Sequence, residues 1–185
     1  MAKLIYFTPT SLDGYIAGDG DFGWSTPSED AFSFMAELIR PMGTYLYGRK
    51  EYETMAVWAT PEVLPGLTPA MQDFAHIWQS AEKIVYSRTW ESISAPRTRL
   101  EKTFDPHAIR EWKEQASLDL SIAGPTLAAE AIQAGLVDEY QFMVAPALLG
   151  QGIPVLSAKV KQQLELLDER RFTNGMVYLR YRPQA

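Results

Sequence analysis

The amino-acid sequence predicts an α/β fold. Short apolar runs alternate with segments of helical periodicity along the chain, a pattern typical of strands and helices arranged around a largely parallel sheet. Near the C-terminus, Asn174-Gly175 predicts the turn of an antiparallel hairpin, because both residues readily adopt positive φ angles. No internal repeat or low-complexity tract divides the chain, so we expect one domain over residues 1–185.

The apolar runs predict strands at five places before the hairpin. These strands are Lys3–Thr8, Thr44–Tyr47, Lys83–Tyr86, Leu118–Ala123 and Glu139–Ala145. The hairpin is expected to pair Arg171–Thr173 with Met176–Arg182.

The segments between the predicted strands are predicted to form helices. Thr26-Pro27-Ser28-Glu29 matches a capping box with proline at the first helical position, and Pro41 ends the apolar stripe that follows it. That stripe consists of Ala31, Phe34, Met35, Leu38 and Ile39. Another helix is expected from Pro125-Thr126 to Gly135, a left-handed C-cap position, with Leu136 as its hydrophobic partner. Further helices are predicted at Lys50–Val57, Pro69–Trp78 and Pro106–Gln115.

Composition excludes several classes of function. The chain has 17 basic and 23 acidic side chains, a net charge of −6, whereas proteins that bind nucleic acids or anionic membranes need a basic surface. It has no cysteine, which excludes disulfides, thiolate zinc sites and a cysteine nucleophile. His76 and His107 are the two histidines, and we expect them to be structural or surface residues rather than metal ligands. Without a secretory pattern or a long apolar segment, we expect a cytoplasmic protein.

Three predicted strands end in residues suited to an anionic ligand. Gly48-Arg49 follows one strand, Ser87-Arg88 the next, and Gly124-Pro125-Thr126 a third. In α/β sheets, ligands bind beyond the carboxyl ends of the strands, where helix N-termini present free N–H groups. Glycine allows a phosphate to approach the backbone, and arginine supplies a forked cationic donor. The three ends together therefore predict an anion-binding groove.

Each of these signals also has an ordinary structural explanation as a turn or a helix start. Their coincidence favours a dinucleotide, although the Rossmann pattern G-x-G-x-x-G is absent. Gly150-Gln151-Gly152 lacks the third glycine and is interpreted as a tight loop. Few side chains are available for nucleophilic or metal catalysis, so a bound organic cofactor would supply the difficult chemistry.

Longer motifs carry a family resemblance. The segments 123–128, 134–139 and 145–150 closely resemble the reductase domain of riboflavin biosynthesis (the RibD C-terminal domain). The segment 11–17 is similar to the S-L-D-G-x-I-A opening of the same superfamily, and 48–53 resembles the G-R-x-x-x-E segment of dihydrofolate reductase. The chain is thus identified as a stand-alone member of the dihydrofolate-reductase-like superfamily.

The resemblance implies a three-layer fold, with a mixed, mainly parallel sheet flanked by helices, and it implies NADPH as cofactor. Gly48, Arg49, Ser87 and Arg88 would then meet the adenosine-phosphate side of NADPH. Gly124, Pro125, Thr126 and Leu127 would wrap the pyrophosphate. Ile16 and Ala17, with the backbone near Thr8, would flank the nicotinamide. Trp24 either shelters the nicotinamide or packs under a loop.

Two departures from the family bear on the substrate. The zinc deaminase half of the bifunctional riboflavin enzyme is missing, and its ligand set cannot be built without cysteine. Directly before Ala123, where riboflavin reductases can carry a substrate-binding acidic residue, this chain has Ile122. The motifs therefore do not name the substrate.

Hydride transfer to a C=N or C=O bond also needs a proton source. The stretch 24–30 is similar to the place where dihydrofolate reductases carry their acid, and both Glu29 and Asp30 are candidates. Helical geometry disfavours Glu29, which lies about opposite the apolar stripe and is better explained by its capping role. Asp30 lies on the flank of the stripe and is equally explained as a cleft residue or as a solvated helix carboxylate. Asp13 is the third candidate, either ligand-facing or stabilising an Asp-Gly turn.

These observations lead to two hypotheses of function. The first is an NADPH-dependent reductase that transfers hydride to a small heterocyclic or carbonyl substrate, of pterin, flavin or pyrimidine type. The alternative is a non-catalytic module that binds a dinucleotide or senses a ligand. A homodimer is expected from the resemblance and from the apolar stretch Gln141–Leu149, with no metal, nucleic-acid or membrane partner.

Overall fold

A mixed sheet forms the centre of the computed structural model, which describes residues 1–17 and 23–184. The strands in chain order are β1 (Leu4–Ser11), β2 (Tyr15–Ala17), β3 (Met42–Gly48), β4 (Glu82–Tyr86), β5 (Thr98–Glu101), β6 (Asp119–Ala123), β7 (Glu139–Ala145), β8 (Ile153–Pro154), β9 (Leu164–Arg171) and β10 (Val177–Pro183). Within the described residues, eight of them form the main sheet in the order β5-β4-β3-β6-β1-β7-β10-β9. The first six strands in this spatial order run parallel to one another, whereas β10 is antiparallel to both of its neighbours, β7 and β9. The short strands β2 and β8 pair separately.

Five α-helices connect these strands in the described part of the chain. They are α1 (Glu29–Ile39), α2 (Arg49–Met55), α3 (Pro69–Ser80), α4 (Pro106–Gln115) and α5 (Pro125–Gln133). Turns of 3₁₀ helix occur at Gly23–Ser25, Ala56–Ala59 and Pro61–Val63. No helix within residues 1–17 and 23–184 is both long and apolar enough to cross a bilayer.

The predicted α/β architecture is confirmed, and β7 and α4 begin and end at the predicted residues. The end of α5 also follows the prediction. Gly135 has a φ of +65° and donates to Ile132 O, while Leu136 donates to Ala131 O and is buried. The sequence did not predict the short strands β2, β5 and β8, because strands of this length contain too few residues to show an alternation of apolar and polar side chains.

Two local predictions are wrong. The first hairpin strand is Leu164–Arg171 rather than Arg171–Thr173, because Phe172 and Gly175 hydrogen-bond within the turn. The sequence of β9 is strongly charged and mostly exposed, so it lacks the apolar alternation that marks a strand. The expected capping box is also absent: α1 begins at Glu29, and Thr26 Oγ1 instead donates to Gly23 O, 2.9 Å away.

The helices cover both faces of the sheet because alternate residues of each strand point to opposite sides. On β1, Leu4 and Tyr6 belong to an apolar cluster with α4 and α5. Ile5 between them belongs to a second cluster with α1, α2 and α3. A third cluster packs Ala31 of α1 under the β7–β10 end of the sheet.

The topology places a crevice between β3 and β6. The chain leaves β3 into α2, which packs on one face of the sheet, and leaves the adjacent strand β6 into α5, which packs on the other face. Where neighbouring parallel strands diverge in this way, their carboxyl ends leave an opening that binds ligands. Gly48 and Gly124 occupy the two strand ends at this opening.

A buried ion cluster ties the N-terminus to the C-terminal hairpin. Glu139 on β7 is 3% exposed, and Arg180 donates two hydrogen bonds of 2.8 Å to its carboxylate. Lys3 Nζ donates a third at 2.7 Å, and Gln141 a fourth at 3.0 Å. Burial raises the pKa of Glu139, but these hydrogen bonds outweigh it and hold the pKa at about 2. The carboxylate is therefore ionised over the whole neutral range.

Replacing Glu139 with glutamine should lower the free energy of unfolding by about 3 kcal/mol. This value is at the low end for breaking a buried ion pair, because Lys3 and Arg180 keep partial access to water. Urea titration measures this cost. The matched control is Glu165→Gln, whose exposed pair with Arg182 should contribute at most about 1 kcal/mol.

The same ion cluster predicts a pH dependence. The folded-state pKa of Glu139, about 2, lies below the unfolded value of roughly 4.3, so its contribution is present above that unfolded value. The contribution should be lost as the pH falls toward 2, and the loss should be missing from the Glu139→Gln variant. Equal costs for the Glu139 and Glu165 substitutions at neutral pH would contradict the role given to this cluster.

Candidate active site

A groove of about 900 Å³ lies along the carboxyl ends of the parallel strands. Its walls come from the segments that follow β3, β4, β5 and β6, and from the small β2–β8 sheet. Cavities that hold cofactors and small ligands typically measure roughly 300–1,000 Å³. The groove is therefore large enough for a dinucleotide or for a cofactor together with part of a substrate.

The two ends of the groove differ in chemistry. Arg49, Arg88 and Lys102 line the end formed after β3, β4 and β5. Ile16 and Ile153 line the other end, next to β1. Because adjacent strands lie about 4.8 Å apart, the four steps from β5 to β1 span roughly 19 Å. An elongated ligand with one anionic and one flat, apolar end matches this polarity.

The backbone is exposed at the middle of the groove. Gly124 has a φ of +93°, a conformation that residues with a side chain rarely adopt. A Cβ atom placed on Gly124 would lie 3.5 Å from Glu51 Cβ and 3.8 Å from the Gly48 amide nitrogen, so the two strand ends are in contact. A Cβ atom on Gly48 would meet no atom within 4 Å, so this backbone opens to the groove.

The first turn of α5 adds main-chain donors at the same place. The Ala128 amide makes the first helical hydrogen bond, 2.9 Å to Gly124 O, so the amides of Thr126 and Leu127 precede the helical ladder. Both residues line the groove, and Pro125 between them and Gly124 has no N–H to offer. Helix N-termini of this kind bind phosphate groups through their amides and the helix dipole.

A tight turn after β4 carries Arg88 into the groove. Ser87 is buried, and its Oγ accepts a 3.1 Å hydrogen bond from the Trp90 amide and lies 3.3 Å from Thr89 Oγ1. The side chain of Ser87 therefore shapes the turn, while the exposed guanidinium of Arg88 remains accessible to a ligand. Arg49 lies at the upper limit of an ion pair with Glu53, 4.0 Å apart.

The structure brings nine of the twelve predicted cofactor residues to this groove. They are Ile16, Gly48, Arg49, Ser87, Arg88, Gly124, Pro125, Thr126 and Leu127. Thr8 is buried within β1, where its Oγ1 lies 3.2 Å from Pro9 O, and it does not line the cavity. Trp24 packs against the third apolar cluster, and its buried indole N–H has no partner among the described residues. Ala17 is the last residue of β2, and its predicted place beside the nicotinamide lies outside what the structure describes.

Asp13 lies outside the groove and holds a loop. Its carboxylate accepts hydrogen bonds from the Gly150 amide at 2.7 Å, the Leu149 amide at 3.1 Å and Ser11 Oγ at 2.6 Å. The hydrogen bonds from Ser11 and Gly150 lower the pKa of Asp13. Asp13 thus joins the β1–β2 turn to the loop after β7, and its catalytic role stays a prediction.

Asp30 and Glu29 face a separate, acidic depression beside α1 and α3. Asp30 accepts hydrogen bonds from Ser28 Oγ at 2.5 Å and from the Thr173 hydroxyl and amide at 2.8 and 3.1 Å. Ser28 first, and then Thr173, lower the pKa of Asp30 to about 2. Asp30 therefore ties α1 to the hairpin turn, and the catalytic roles of Asp30 and Glu29 also stay predictions.

The groove contains functional groups that the sequence analysis did not select. Lys102 and Phe104 follow β5, a strand too short to be predicted, so nothing marked them as neighbours of Arg88. Ile153 belongs to the equally short β8. Glu51 was recognisable: a residue two positions after Arg49, in the first turn of a helix at a strand end, is directed toward the same opening.

Glu51 is a carboxyl group in a part of the groove that otherwise suits an anion. Its side chain lines the groove beside Gly124, where the phosphates of an anionic ligand would lie. Burial raises the pKa of its carboxyl group above the usual value. His76 and His107 are exposed on α3 and α4, and no group of three His, Asp or Glu side chains in the described ranges is arranged to hold a metal ion.

Solved structures share this fold. A protein from Shewanella sp. PV-4, whose name places it in riboflavin biosynthesis, matches with a TM-score of 0.75 and 21% identity over 100% of both chains. A pyrimidine reductase-like protein from Corynebacterium diphtheriae matches with a TM-score of 0.69 and 14% identity, over 100% of this chain and 92% of the other. The predicted dihydrofolate-reductase-like fold is thus confirmed.

A bifunctional protein contains the same unit. The diaminohydroxyphosphoribosylaminopyrimidine deaminase/5-amino-6-(5-phosphoribosylamino)uracil reductase of Thermotoga maritima matches with a TM-score of 0.67 and 17% identity. The match covers 99% of this chain and 57% of that one, so the present chain corresponds to little more than half of the bifunctional protein.

Comparison of sequences gives the family. The uncharacterized protein YyaP of Bacillus subtilis (strain 168) is 25% identical over 182 residues, which cover 97% of this chain and 94% of YyaP. The family described as "RibD C-terminal domain" matches residues 2–178. Together with the motifs at 11–17, 48–53 and 123–128, this match shows that the chain belongs to the RibD C-terminal domain family.

Proposed function

We propose that the protein is an NADPH-dependent reductase of a small heterocyclic substrate. The observation that carries this proposal is the polarity of the groove, which is cationic at Arg49, Arg88 and Lys102 and apolar at Ile16 and Ile153. NADPH has the matching polarity, with a 2′-phosphate at the adenosine end and a planar nicotinamide at the other. Family relatives named as pyrimidine reductases support reduction of a heterocycle.

The residues at the centre of the groove fit a pyrophosphate. Gly48 and Gly124 leave the backbone open where side chains would fill the cradle, and the amides of Thr126 and Leu127 supply donors. When bound there, NADPH would supply hydride, and the protein would supply position and electrostatics. Ile16 and Ile153 would exclude water from one face of the ring and hold it beside β1.

A non-catalytic dinucleotide-binding module is the second candidate, and one observation favours it. Asp13 and Asp30 are fully engaged in hydrogen bonds that stabilise their ionised forms, so neither is suited to donate a proton to a reduced substrate.

Turnover separates the two functions. With purified protein, NADPH should be oxidised steadily, as followed by its absorbance, in the presence of at least one member of a panel of pterins, flavins and pyrimidines. Binding of NADPH without oxidation across the whole panel would support the non-catalytic module. The absence of any rise in melting temperature with millimolar NADPH or NADP⁺ would contradict both, because a ligand of the folded state must stabilise it.

The two arginines should select NADPH over NADH. Arg49→Ala and Arg88→Ala should each weaken NADPH binding by roughly 10- to 100-fold, because a hydrogen bond between charged groups contributes about 1.5–3 kcal/mol. NADH lacks the 2′-phosphate and should bind the variants nearly as it binds the wild type. Dissociation constants for both cofactors provide the measurement, and equal losses for NADH and NADPH would show that these arginines do not contact the phosphate.

We also propose that the protein forms a homodimer, but through a different surface from the expected stretch Gln141–Leu149. Most of that stretch belongs to β7, which is buried between β1 and β10. Leu148, near the end of the stretch, is exposed, and further exposed apolar side chains follow it at Leu156, Val160 and Leu166. In the described sheet β9 pairs with β10 alone, which leaves its other edge open for a second copy.

Light scattering should give the mass of a dimer for the wild type. Leu166→Lys, on the open edge strand, should shift the mass toward a monomer, because it places a charge in the apolar contact. Val63→Lys is the matched control, since Val63 is also exposed but lies between α2 and α3, far along the chain from this surface. A monomeric wild type at high concentration would contradict the proposal.

A further inference from the structure

We propose that Glu51 couples cofactor binding to the uptake of a proton, so that the groove binds a dinucleotide more tightly in its Glu51-protonated form. This inference rests on the proposed function, because it assumes that the phosphates of the cofactor pass along Gly124. In this proposal Glu51 affects affinity at the centre of the groove, whereas Arg49 and Arg88 act at the adenosine end.

The position of Glu51 carries the inference. It lies in the first turn of α2, its side chain lines the groove, and its Cβ is 3.5 Å from the point where Gly124 would carry a Cβ. A pyrophosphate held by the amides of Thr126 and Leu127 would therefore lie beside this carboxyl group. Two neighbouring like charges repel strongly when water is partly excluded.

No cation in the described structure compensates this carboxylate. Glu51 makes no hydrogen bond and no ion pair there, whereas Glu53, on the same helix, is half-exposed and lies 4.0 Å from Arg49. The hydroxyls that face Glu51 from the sheet are those of Tyr6 and Tyr47. Both are neutral phenols with other partners, Val155 O at 2.7 Å and the Trp78 indole N–H at 3.1 Å.

The other two carboxyl groups that line the groove, Glu53 and Glu130, are exposed to solvent. Lys102 donates to Trp90 O, and Glu130 is exposed on α5. The other charged side chains of the lining are Arg49, Lys50, Glu53 and Arg88. Glu51 is therefore the carboxyl group whose protonation state a bound phosphate would change most.

The direction of the effect follows from electrostatics. Burial already raises the pKa of Glu51 in the free protein, and a neighbouring phosphate would raise it further, because both disfavour the charged form. The bound form then holds more protons than the free form, so affinity increases as the pH falls through the bound-state pKa and levels off below the free-state pKa. For each unit by which the bound phosphate raises the pKa of Glu51, the affinity at high pH should be tenfold lower than the affinity at low pH.

Isothermal titration calorimetry of the full chain tests this coupling directly. NADPH is titrated between about pH 5.5 and about pH 8.5 in two buffers of different ionisation enthalpy, which together give the number of protons taken up. We expect net uptake by the wild type and at least about tenfold weaker binding at the high end of this range. NADH is titrated in parallel, because the 2′-phosphate of NADPH itself titrates near pH 6.

Glu51→Gln should abolish the proton uptake measured with NADH, and it should bind NADH at high pH about as tightly as the wild type does at low pH. Glu53→Gln removes the same charge from an exposed site on the same helix and should retain the uptake of the wild type. Glu51→Thr serves as a second neutral variant if the glutamine variant does not fold. Its melting temperature reports whether it is intact.

The outcomes distinguish this inference from the proposed function. No binding of NADPH or NADH at any pH would overturn the cofactor assignment itself. Binding of NADH without proton uptake by the wild type, or with the same uptake in Glu51→Gln or Glu51→Thr, would overturn the role of Glu51 and leave the cofactor assignment standing.

Discussion

The close approach of two strand ends, at Gly48 and Gly124, is the constraint on which the rest of the site depends. The chain leaves β3 and β6 toward opposite faces of the sheet, and at this point the backbones are nearly in contact. A side chain at Gly124 would have to adopt a φ of +93° while touching Glu51. Glycine therefore allows α5 to start close enough for its free amides to reach the same space as the start of α2.

Local signals in the sequence were sufficient for this part of the site. A strand followed by glycine and then by a cation or a helix start can be recognised from neighbouring residues alone, as at Gly48-Arg49 and Gly124-Pro125. Parallel strands then place such ends along one edge without further information. The order β4-β3-β6 makes the three predicted ends adjacent, which the sequence alone suggested but did not require.

The acidic residues were harder to interpret because their partners are distant in the sequence. Asp13 binds amides at positions 149 and 150, and Asp30 binds Thr173, so neither contact leaves a local pattern. The sequence motifs made both aspartates candidates for catalysis, whereas in the structure their hydrogen bonds hold loops and turns together. Glu51 differs from the two aspartates. Its position in a helix is ordinary in the sequence, and only the folded chain shows that burial leaves its carboxyl group without a counter-charge.

The electrostatics of the groove follow from these placements. The protein carries a net charge of −6, yet the lining described for the groove contains four basic and three acidic side chains. Long-range attraction of an anionic ligand by the whole protein is therefore weak, and binding has to come from short-range contacts inside the groove. There, in the proposed complex, the cations at one end and Glu51 at the centre would act in opposite directions on the same anionic ligand. In the proposed complex, the charge state of this central carboxyl group would therefore change how tightly the phosphates are held.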